Sequence, residues 1–289
     1  MQQICLVTGG TSGIGRATAY IMAKRGYTVV VVGRNNHKCM TTVAEIKNKT
    51  GNQSVDYLVA DLSFQKDIHT LVDCFNNKYT RLDVLVNNVG TISWSKELTY
   101  DGIEMTFALN HLSYFLLTNL LLNVLVSSGA SRIVNVSSVA HRRAVIDIND
   151  IKNPVNYKAF KAYGESKLAN LLFTYEMARR LKSTDVTVNA LHPGVIATNL
   201  LGNGKVPLGW LTRPILRSMF ALVGQSVTKG AEKVVYLSTS REIADVTGRY
   251  FADGIETYSS ESSYDINMAN LLWKFSCRLT GLAMERSQI

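Results

Sequence analysis

The sequence contains little cysteine, and the cysteines it has are scattered. They lie at Cys5, Cys39, Cys74 and Cys277 and form no C-x-x-C pair. This arrangement indicates neither a zinc site nor a disulfide framework, so we expect a reduced compartment. The five histidines, at positions 37, 69, 111, 141 and 192, also lack the spacing of metal ligands. We therefore predict that the protein binds no metal.

Proline and long apolar runs are scarce as well. Only four prolines occur in 289 residues, and 46% of the residues are hydrophobic, which argues against disorder. The most apolar stretch, residues 112–126, contains Asn119 and Asn123 and is shorter than a membrane span. The first apolar run begins within a few residues of Met1, so we expect no signal peptide. These features favour a cytoplasmic protein, with peripheral membrane association as the alternative.

Basic residues outnumber acidic ones and give a formal net charge of +9, but they are spread along the chain. Because there is no arginine-rich stripe and no interleaved aromatic platform, the charge does not indicate a nucleic-acid partner. Part of the excess suits an anionic cofactor. One segment, residues 208–223, is both amphipathic and basic, and such a segment can contact a membrane surface.

An apolar run followed by a glycine-rich loop opens the chain. Residues 4–7 carry no charge and lead into Thr-Gly-Gly-Thr-Ser-Gly-Ile-Gly at residues 8–15. A helical pattern of apolar residues then continues to Gly26. Between a strand and a helix, glycines let the backbone turn tightly and approach a pyrophosphate, and the helix N-terminus favours negative charge. The pattern predicts a dinucleotide-binding loop, although a glycine-rich turn alone would not establish one.

Further apolar, strand-like runs alternate with helical segments along the chain. They lie at residues 28–32, 57–60, 84–86, 132–136 and 186–191. This alternation predicts a doubly wound parallel sheet with right-handed crossovers, in a single α/β domain without linkers or repeats. Because such sheets bind ligands at the carboxyl ends of their strands, the residues that follow each run are candidate site residues.

Tyr163 and Lys167 stand four residues apart and would share one face of a helix over residues 163–181. A phenol with a pKa of about 10 is a poor acid or base at neutral pH, and a nearby ammonium favours the phenolate. We therefore expect Lys167 to lower the pKa of Tyr163. By itself the spacing also suits a solvated helix face. The pair Ser137-Ser138 follows the strand-like run at 132–136, which would bring it to the same edge of the sheet.

Together these motifs resemble those of the short-chain dehydrogenase/reductase family. The spacing Gly9-x-x-x-Gly13-x-Gly15 is similar to the family's form and differs from the G-x-G-x-x-G of ordinary dinucleotide-binding enzymes. The long interval between Ser138 and Tyr163 resembles the retinol-dehydrogenase-like branch and, more loosely, protochlorophyllide reductases. The resemblance covers residues 3–255 and implies a Rossmann-type fold.

The resemblance implies a nicotinamide cofactor. An acidic residue after the second strand would hold the ribose of NAD, whereas Arg34 can pair with a 2′-phosphate, so we expect NADP(H). The family's Asn-Asn-Ala-Gly signature is matched at residues 87–90, with Val89 in place of alanine. The expected cofactor contacts are Gly9, Thr11, Ser12, Gly13, Ile14, Gly15, Arg34, Asn35, Asp61, Leu62, Asn88, Val89, Gly90, Tyr163, Lys167, Pro193, Gly194, Val195 and Thr198.

The resemblance also implies a catalytic centre of Asn110, Ser138, Tyr163 and Lys167. Tyr163 would exchange a proton with the substrate oxygen, and Ser138 would hydrogen-bond the same oxygen. Lys167 would tune the phenol and bind the nicotinamide ribose, while Asn110 would hold a water linked to the lysine. Ser137 would be a supporting residue.

In the family, the segment after the Pro-Gly turn is a variable lid over the substrate. We therefore expect a lid at residues 197–226, and we prefer this role to membrane contact for the basic segment at 208–223. A lipophilic carbonyl or alcohol is implied as substrate, with retinoids, steroids and other apolar ketones or aldehydes all open. A helical tail is expected at residues 262–289. Because the helices at 112–126 and around Tyr163 contact a second subunit in the family, we expect a homodimer or homotetramer.

Two other functions remain open at this point. The first is an NADP-binding scaffold or sensor without turnover, which the intact set of four catalytic residues argues against. The second is a nucleotide-sugar epimerase or dehydratase, since these enzymes also use a tyrosine and a lysine at this spacing. They usually show a different glycine spacing and a longer C-terminal substrate region.

Overall fold

Strands among the described residues form a single sheet. The computed structural model describes residues 2–194 and 226–283. The strands are β1 Ile4–Thr8, β2 Thr28–Gly33, β3 Val55–Val59, β4 Val84–Asn87, β5 Arg132–Val136, β6 Thr187–His192, β7 Tyr250–Ala252 and β8 Ile255–Glu256. Their order is β3-β2-β1-β4-β5-β6-β7-β8; all neighbours pair in parallel except β7 and β8, which are antiparallel. The predicted doubly wound, Rossmann-type parallel sheet is confirmed.

Helices cover both faces of the sheet. They are α1 Gly13–Lys24, α2 Asn36–Thr50, α3 Gln65–Lys78, α4 Met105–Phe107, α5 Ser113–Leu120, α6 Leu122–Ser127, α7 Ala159–Arg180, α8 Val227–Thr239 and α9 Ile266–Thr280. A π-helical turn, Ala108–Leu112, joins α4 to α5, and 3-10 turns lie at Val139–Arg143 and Glu261–Tyr264. No helix among these described residues is long and apolar enough to cross a membrane.

The alternation of side chains along each strand creates two hydrophobic layers. In β1, Leu6 packs into the layer that also contains Phe115 and Phe173, whereas Cys5 and Val7 pack into the layer on the opposite face. Successive strand residues point to opposite faces, so burial on both sides requires an uninterrupted apolar strand. This explains why the inner strands could be recognised from short runs without polar residues.

The helix α9 packs against α5 and α7 from the same chain. The ring of Trp273 lies 4.9 Å from the ring of Phe115 and 5.9 Å from that of Phe173, and Arg180 lies over the indole at 4.1 Å. The helix falls within the predicted tail. Its contacts cover part of the two helices that were predicted to contact a second subunit.

Candidate active site

The glycine loop between β1 and α1 is packed tightly against the end of β4. Gly9 and Gly13 have φ angles of 63° and 52°, in the region that favours glycine. A Cβ atom on Gly15 would lie 2.4 Å from the Gly9 carbonyl oxygen and 2.5 Å from the Asn88 Nδ2 atom. A side chain at Gly15 is therefore incompatible with this loop, and the resulting open cradle fits the close approach of a pyrophosphate.

Thr8 and Asn88 fix this loop in place. The Thr8 hydroxyl accepts hydrogen bonds from the backbone N–H groups of Asn88 at 2.8 Å and Val89 at 3.1 Å. The Asn88 side chain donates to the Thr8 carbonyl oxygen at 2.8 Å. Asn88 and Val89 thus shape the loop as well as being predicted cofactor contacts. Thr8 is absent from the predicted site residues, and its only signal in the sequence is its position directly before the first glycine.

The N-terminus of α1 lies at the end of the glycine loop. Its N-cap, Ser12, makes no side-chain capping hydrogen bond among the residues described, so this side chain satisfies none of the first amides of the helix. Thr11 lies under the end of β2, where a Cβ on Gly33 would come within 2.7 Å of the Thr11 Cγ2 atom. Ile14 packs against the hydrophobic layer below the loop.

The residues after β2 and β3 have different surroundings. Arg34 is exposed, and the neighbouring Asn35 caps α2 by accepting a hydrogen bond from the Lys38 N–H at 2.9 Å. The Asp61 carboxylate accepts hydrogen bonds from the hydroxyl and N–H of Ser63. Leu62 is buried in the hydrophobic core, so any contact with a cofactor would have to use its backbone.

Three of the four predicted catalytic residues come together where α7 packs on the end of β5. The Ser138 side chain lies beside the Tyr163 phenol, close enough to lower its pKa slightly. Lys167 Nζ donates to the Val136 carbonyl oxygen at 3.0 Å, and the Ser137 hydroxyl donates to the Lys167 carbonyl oxygen at 2.9 Å. Ser137 therefore joins β5 to α7 beside the candidate site, and its supporting role stays a prediction.

Asn110 lies in the π-helical turn beside this group. Its Oδ1 atom accepts from the Thr91 N–H at 2.8 Å, and its Nδ2 atom donates to the Ser166 hydroxyl at 3.0 Å. A Cβ on Gly90 would lie 3.4 Å from Asn110 Oδ1 and 3.5 Å from Lys167 Nζ. Gly90 thus keeps open the space where Asn110 and the lysine meet.

Burial sets the protonation of the Tyr163 and Lys167 side chains. Burial raises the pKa of Tyr163 to about 12, and the nearby Ser138 side chain lowers this pKa by a smaller amount. Burial also lowers the pKa of Lys167 to about 7. The prediction that Lys167 lowers the pKa of Tyr163 is wrong for this arrangement, because Nζ lies 5.7 Å from the phenol ring centre and donates to a carbonyl instead. At neutral pH the phenol is protonated and can act as a donor.

Ser138 is the N-cap of the 3-10 turn Val139–Arg143. Its hydroxyl oxygen accepts a hydrogen bond from the Ala140 N–H at 3.3 Å. The turn packs closely on α7, since a Cβ on Gly164 would lie 3.1 Å from the Ala140 carbonyl oxygen. The absence of a side chain at Gly164 allows Ser138 to approach Tyr163.

The remaining predicted contacts follow β6. Pro193 is buried, and its carbonyl oxygen accepts a hydrogen bond from Lys233 Nζ at 3.2 Å. Gly194 has a φ of 103°, which favours glycine. Val195, Thr198 and the predicted lid up to residue 225 lie outside the described residues. Within residues 2–194 and 226–283, no group of three or more His, Cys, Asp or Glu side chains is placed to hold a metal ion.

The chain belongs to the short-chain dehydrogenase family, whose family model matches residues 3–205. Within this family of oxidoreductases it belongs to the retinol-dehydrogenase-like branch. It is 39% identical to retinol dehydrogenase 13 of Homo sapiens over 279 residues, which cover 96% of this chain and 84% of the relative. It is also 36% identical to human polyprenol dehydrogenase over 286 residues, which cover 97% and 86% of the two chains.

Solved structures share the fold. An uncharacterized protein from Mycobacterium Paratuberculosis is 30% identical and superposes with a TM-score of 0.78, over 97% of this chain and 94% of that one. A short-chain dehydrogenase from Burkholderia cenocepacia in complex with NADP is 25% identical, with a TM-score of 0.68 over 87% and 96% of the chains. These findings confirm the resemblance drawn from the sequence motifs.

Proposed function

We propose that the protein is an NADP(H)-dependent oxidoreductase that transfers a hydride between the nicotinamide and a lipophilic carbonyl or alcohol. The observation that carries this proposal is that the Ser138 side chain lies beside the Tyr163 phenol, with the buried Lys167 one helical turn further along α7. This group lies at the carboxyl ends of the parallel strands, the edge at which open α/β sheets bind ligands.

The predicted cofactor residues suit NADP(H). The amides of the glycine loop and of the α1 N-terminus would hold the pyrophosphate, and exposed Arg34 would pair with the 2′-phosphate. Asn88, Val89 and Gly90 would line the cofactor, and Pro193 and Gly194 would cover its nicotinamide end. The NADP present in the Burkholderia cenocepacia relative supports this choice. The bound cofactor supplies the hydride.

The side chains of the chain itself would handle the proton. Because burial holds the pKa of Tyr163 at about 12, the phenol carries the proton needed by a carbonyl oxygen during reduction. The Ser138 hydroxyl would donate a hydrogen bond to the same oxygen. Lys167, one helical turn after Tyr163, would return a proton to the phenol after each turnover, through a water held by Asn110.

Apolar side chains beside the site support a lipophilic substrate. Val139, directly after Ser138, is 45% exposed, and Phe160, one helical turn before Tyr163, is 67% exposed. The Phe160 ring meets Trp94 edge-on with ring centres 5.4 Å apart. Exposed apolar groups next to a reactive centre suit contact with an apolar ligand. The names of the two human relatives specify retinol and polyprenol, which are apolar alcohols.

A panel of apolar aldehydes and ketones, assayed in parallel with NADPH and NADH, tests the proposal. We expect oxidation of NADPH with several retinoid, steroid or other lipophilic carbonyls. Tight NADPH binding without turnover across the whole panel would favour the scaffold or sensor. Stabilisation by nucleotide sugars in a thermal-shift screen would favour the epimerase or dehydratase.

The substitution Arg34→Asp tests the cofactor preference. Replacing the cation by a carboxylate should weaken NADPH relative to NADH by roughly tenfold or more, since one charge-assisted hydrogen bond is lost and a repulsion is added. The measurement is the ratio of kcat/KM for the two cofactors. Arg241→Asp makes the same change of charge after α8 and should leave the ratio unaltered. An unchanged ratio in Arg34→Asp would contradict the assignment of NADP(H).

A homodimer or homotetramer stays a prediction. Since Trp273 of the same chain lies against Phe115 and Phe173, a second subunit would have to contact α9 or another surface. Light scattering at micromolar concentration tests this prediction, and a monomer would contradict it.

A further inference from the structure

A buried histidine lies directly behind the catalytic serine. His141 is fully buried, and its Nδ1 atom lies 2.6 Å from the Ser138 carbonyl oxygen. Its Nε2 atom lies 3.1 Å from the backbone nitrogen of Ser260, which is 119 residues away in the chain. The imidazole thus bridges the catalytic loop and the segment that leads into α9.

The two partners determine which tautomer is present. The Ser138 carbonyl can only accept a hydrogen bond, so Nδ1 must carry the proton. The Ser260 N–H can only donate, so Nε2 must be unprotonated. Both partners are backbone groups and cannot rotate away to accept another arrangement. His141 therefore acts as a neutral, oriented link between two segments.

The far end of this link is anchored to α7. The Tyr175 hydroxyl and the Ser259 hydroxyl lie 2.6 Å apart, and the Tyr175 ring stacks on Tyr264 with centres 5.2 Å apart. Tyr175 is on the same helix as Tyr163. One helix thus presents the catalytic phenol directly and, through Ser259, Ser260 and the imidazole, also fixes the backbone of Ser138.

We propose that His141 is a positioning residue for Ser138, holding the serine at the distance from Tyr163 that proton transfer requires. The inference rests on the proposed function, because it concerns the same reaction. It goes further in giving the segment at residues 258–264 a part in catalysis. Small errors in the placement of catalytic groups have large effects on rate, so an imidazole that never contacts the substrate can still control kcat.

Two substitutions separate the two contacts of the imidazole. His141→Asn places an amide donor where Nδ1 lies and so retains the contact with Ser138, but it cannot reach Ser260. His141→Gln places an amide oxygen where Nε2 lies and so retains the contact with Ser260, but it loses the contact with Ser138. Arg142→Ala is a matched control, because Arg142 joins the same two segments through the Tyr258 carbonyl oxygen at 2.9 Å.

The expected result is a separation of rate from stability and from binding. His141→Gln should lower kcat roughly 10- to 100-fold and leave the KM for NADPH unchanged, as expected for a misplaced catalytic group. His141→Asn should retain most of the wild-type kcat, although the melting temperature of this variant should also fall below that of the wild type. Arg142→Ala should affect melting temperature alone. Equal kcat losses in the Asn and Gln variants, or wild-type kcat in the Gln variant, would overturn the inference.

A second measurement covers the case of poorly folded variants. In a Ser138→Ala background, His141→Gln should cause no additional loss of kcat, and a further loss would show that the imidazole acts by another route.

Nitrogen NMR of the wild-type protein tests the geometry without any turnover, since Nδ1 must be protonated and Nε2 must not be. The opposite tautomer would overturn the inference even if the oxidoreductase activity is found. A wild-type protein with the expected tautomer and no turnover would instead refute the proposed function.

Discussion

The two ends of the site are built in different ways. The proposed nucleotide end comprises the glycine loop and the turns after β2, β3 and β4. The proposed catalytic end comprises the π-helical turn, the Ser138 turn and α7. At the nucleotide end, several side-chain bonds span three residues or fewer, such as those from Lys38 to Asn35 and from Ser63 to Asp61, and Thr8 and Asn88 link the ends of β1 and β4. At the catalytic end, bonds span 56 residues at Asn110 and 119 at His141. Short-range bonds contribute more to the first end, and bonds between distant parts of the chain contribute more to the second.

Tyr163→Phe should have the largest effect, and this effect should be confined to the catalytic end. Removing the phenolic proton should lower kcat by about 10²- to 10⁴-fold, the usual contribution of a general acid or base. The dissociation constant for NADPH should hardly change, since the nucleotide end is intact. Steady-state kinetics and a fluorescence titration with NADPH provide both values. Substantial residual turnover in this variant would rule out the role assigned to Tyr163.

The free energy of unfolding should depend strongly on pH because Lys167 is buried at the catalytic end. Its pKa is about 7 in the folded protein, compared with about 10.4 in the unfolded chain. Between these values the unfolded state binds more protons, so the free energy of unfolding should rise with pH by up to about 1.4 kcal/mol per unit. Urea unfolding at several pH values measures the slope. Lys167→Met should reduce it, and parallel profiles for the two proteins would contradict the assignment.

Gly15→Ala should damage the nucleotide end alone. The added Cβ would overlap the Gly9 carbonyl, and overpacking of this kind typically costs about 1–3 kcal/mol. NADPH affinity should fall, while kcat at saturating NADPH should stay close to that of the wild type. Gly26→Ala is the control, because Gly26 has a φ of 86° but no atom within 4 Å of an added Cβ. It should lower stability without weakening NADPH, and equal affinities in the two variants would refute the steric argument.

The smallest expected effects come from removing two helix caps, one at each end of the site. Asn35 caps α2 at the nucleotide end, and Asp265 caps α9 by accepting from the Met268 N–H at 2.9 Å. Replacing either residue by alanine should cost about 1 kcal/mol of stability. Asn35→Ala should leave kcat unchanged, whereas Asp265→Ala should lower it modestly by loosening the segment that holds His141. Thermal unfolding and kcat, measured together, test this; identical kcat values would weaken the distinction between the ends.

This difference also explains what the sequence could and could not predict. The strand runs and the glycine spacing predicted the doubly wound parallel sheet, and the Ser138 and Tyr163 motifs predicted side chains that the fold brings together, because each pattern is encoded within a few residues. The protonation of Lys167 could not be predicted, since it depends on how deeply the assembled helix is buried. Thr8 and His141 were missed for a related reason: their partners lie 80 and 119 residues away, where no spacing rule applies.

The packing of α9 on α7 also has a consequence for the order of folding during synthesis. The strands and turns of the nucleotide end lie within the first 90 residues, so these can pair while the rest of the chain is still being made. The catalytic end cannot be completed at that stage, because His111 needs Ser276 and His141 needs Ser260. A chain released before α9 would therefore expose the apolar face around Phe115 and Phe173, which makes such an intermediate prone to aggregation.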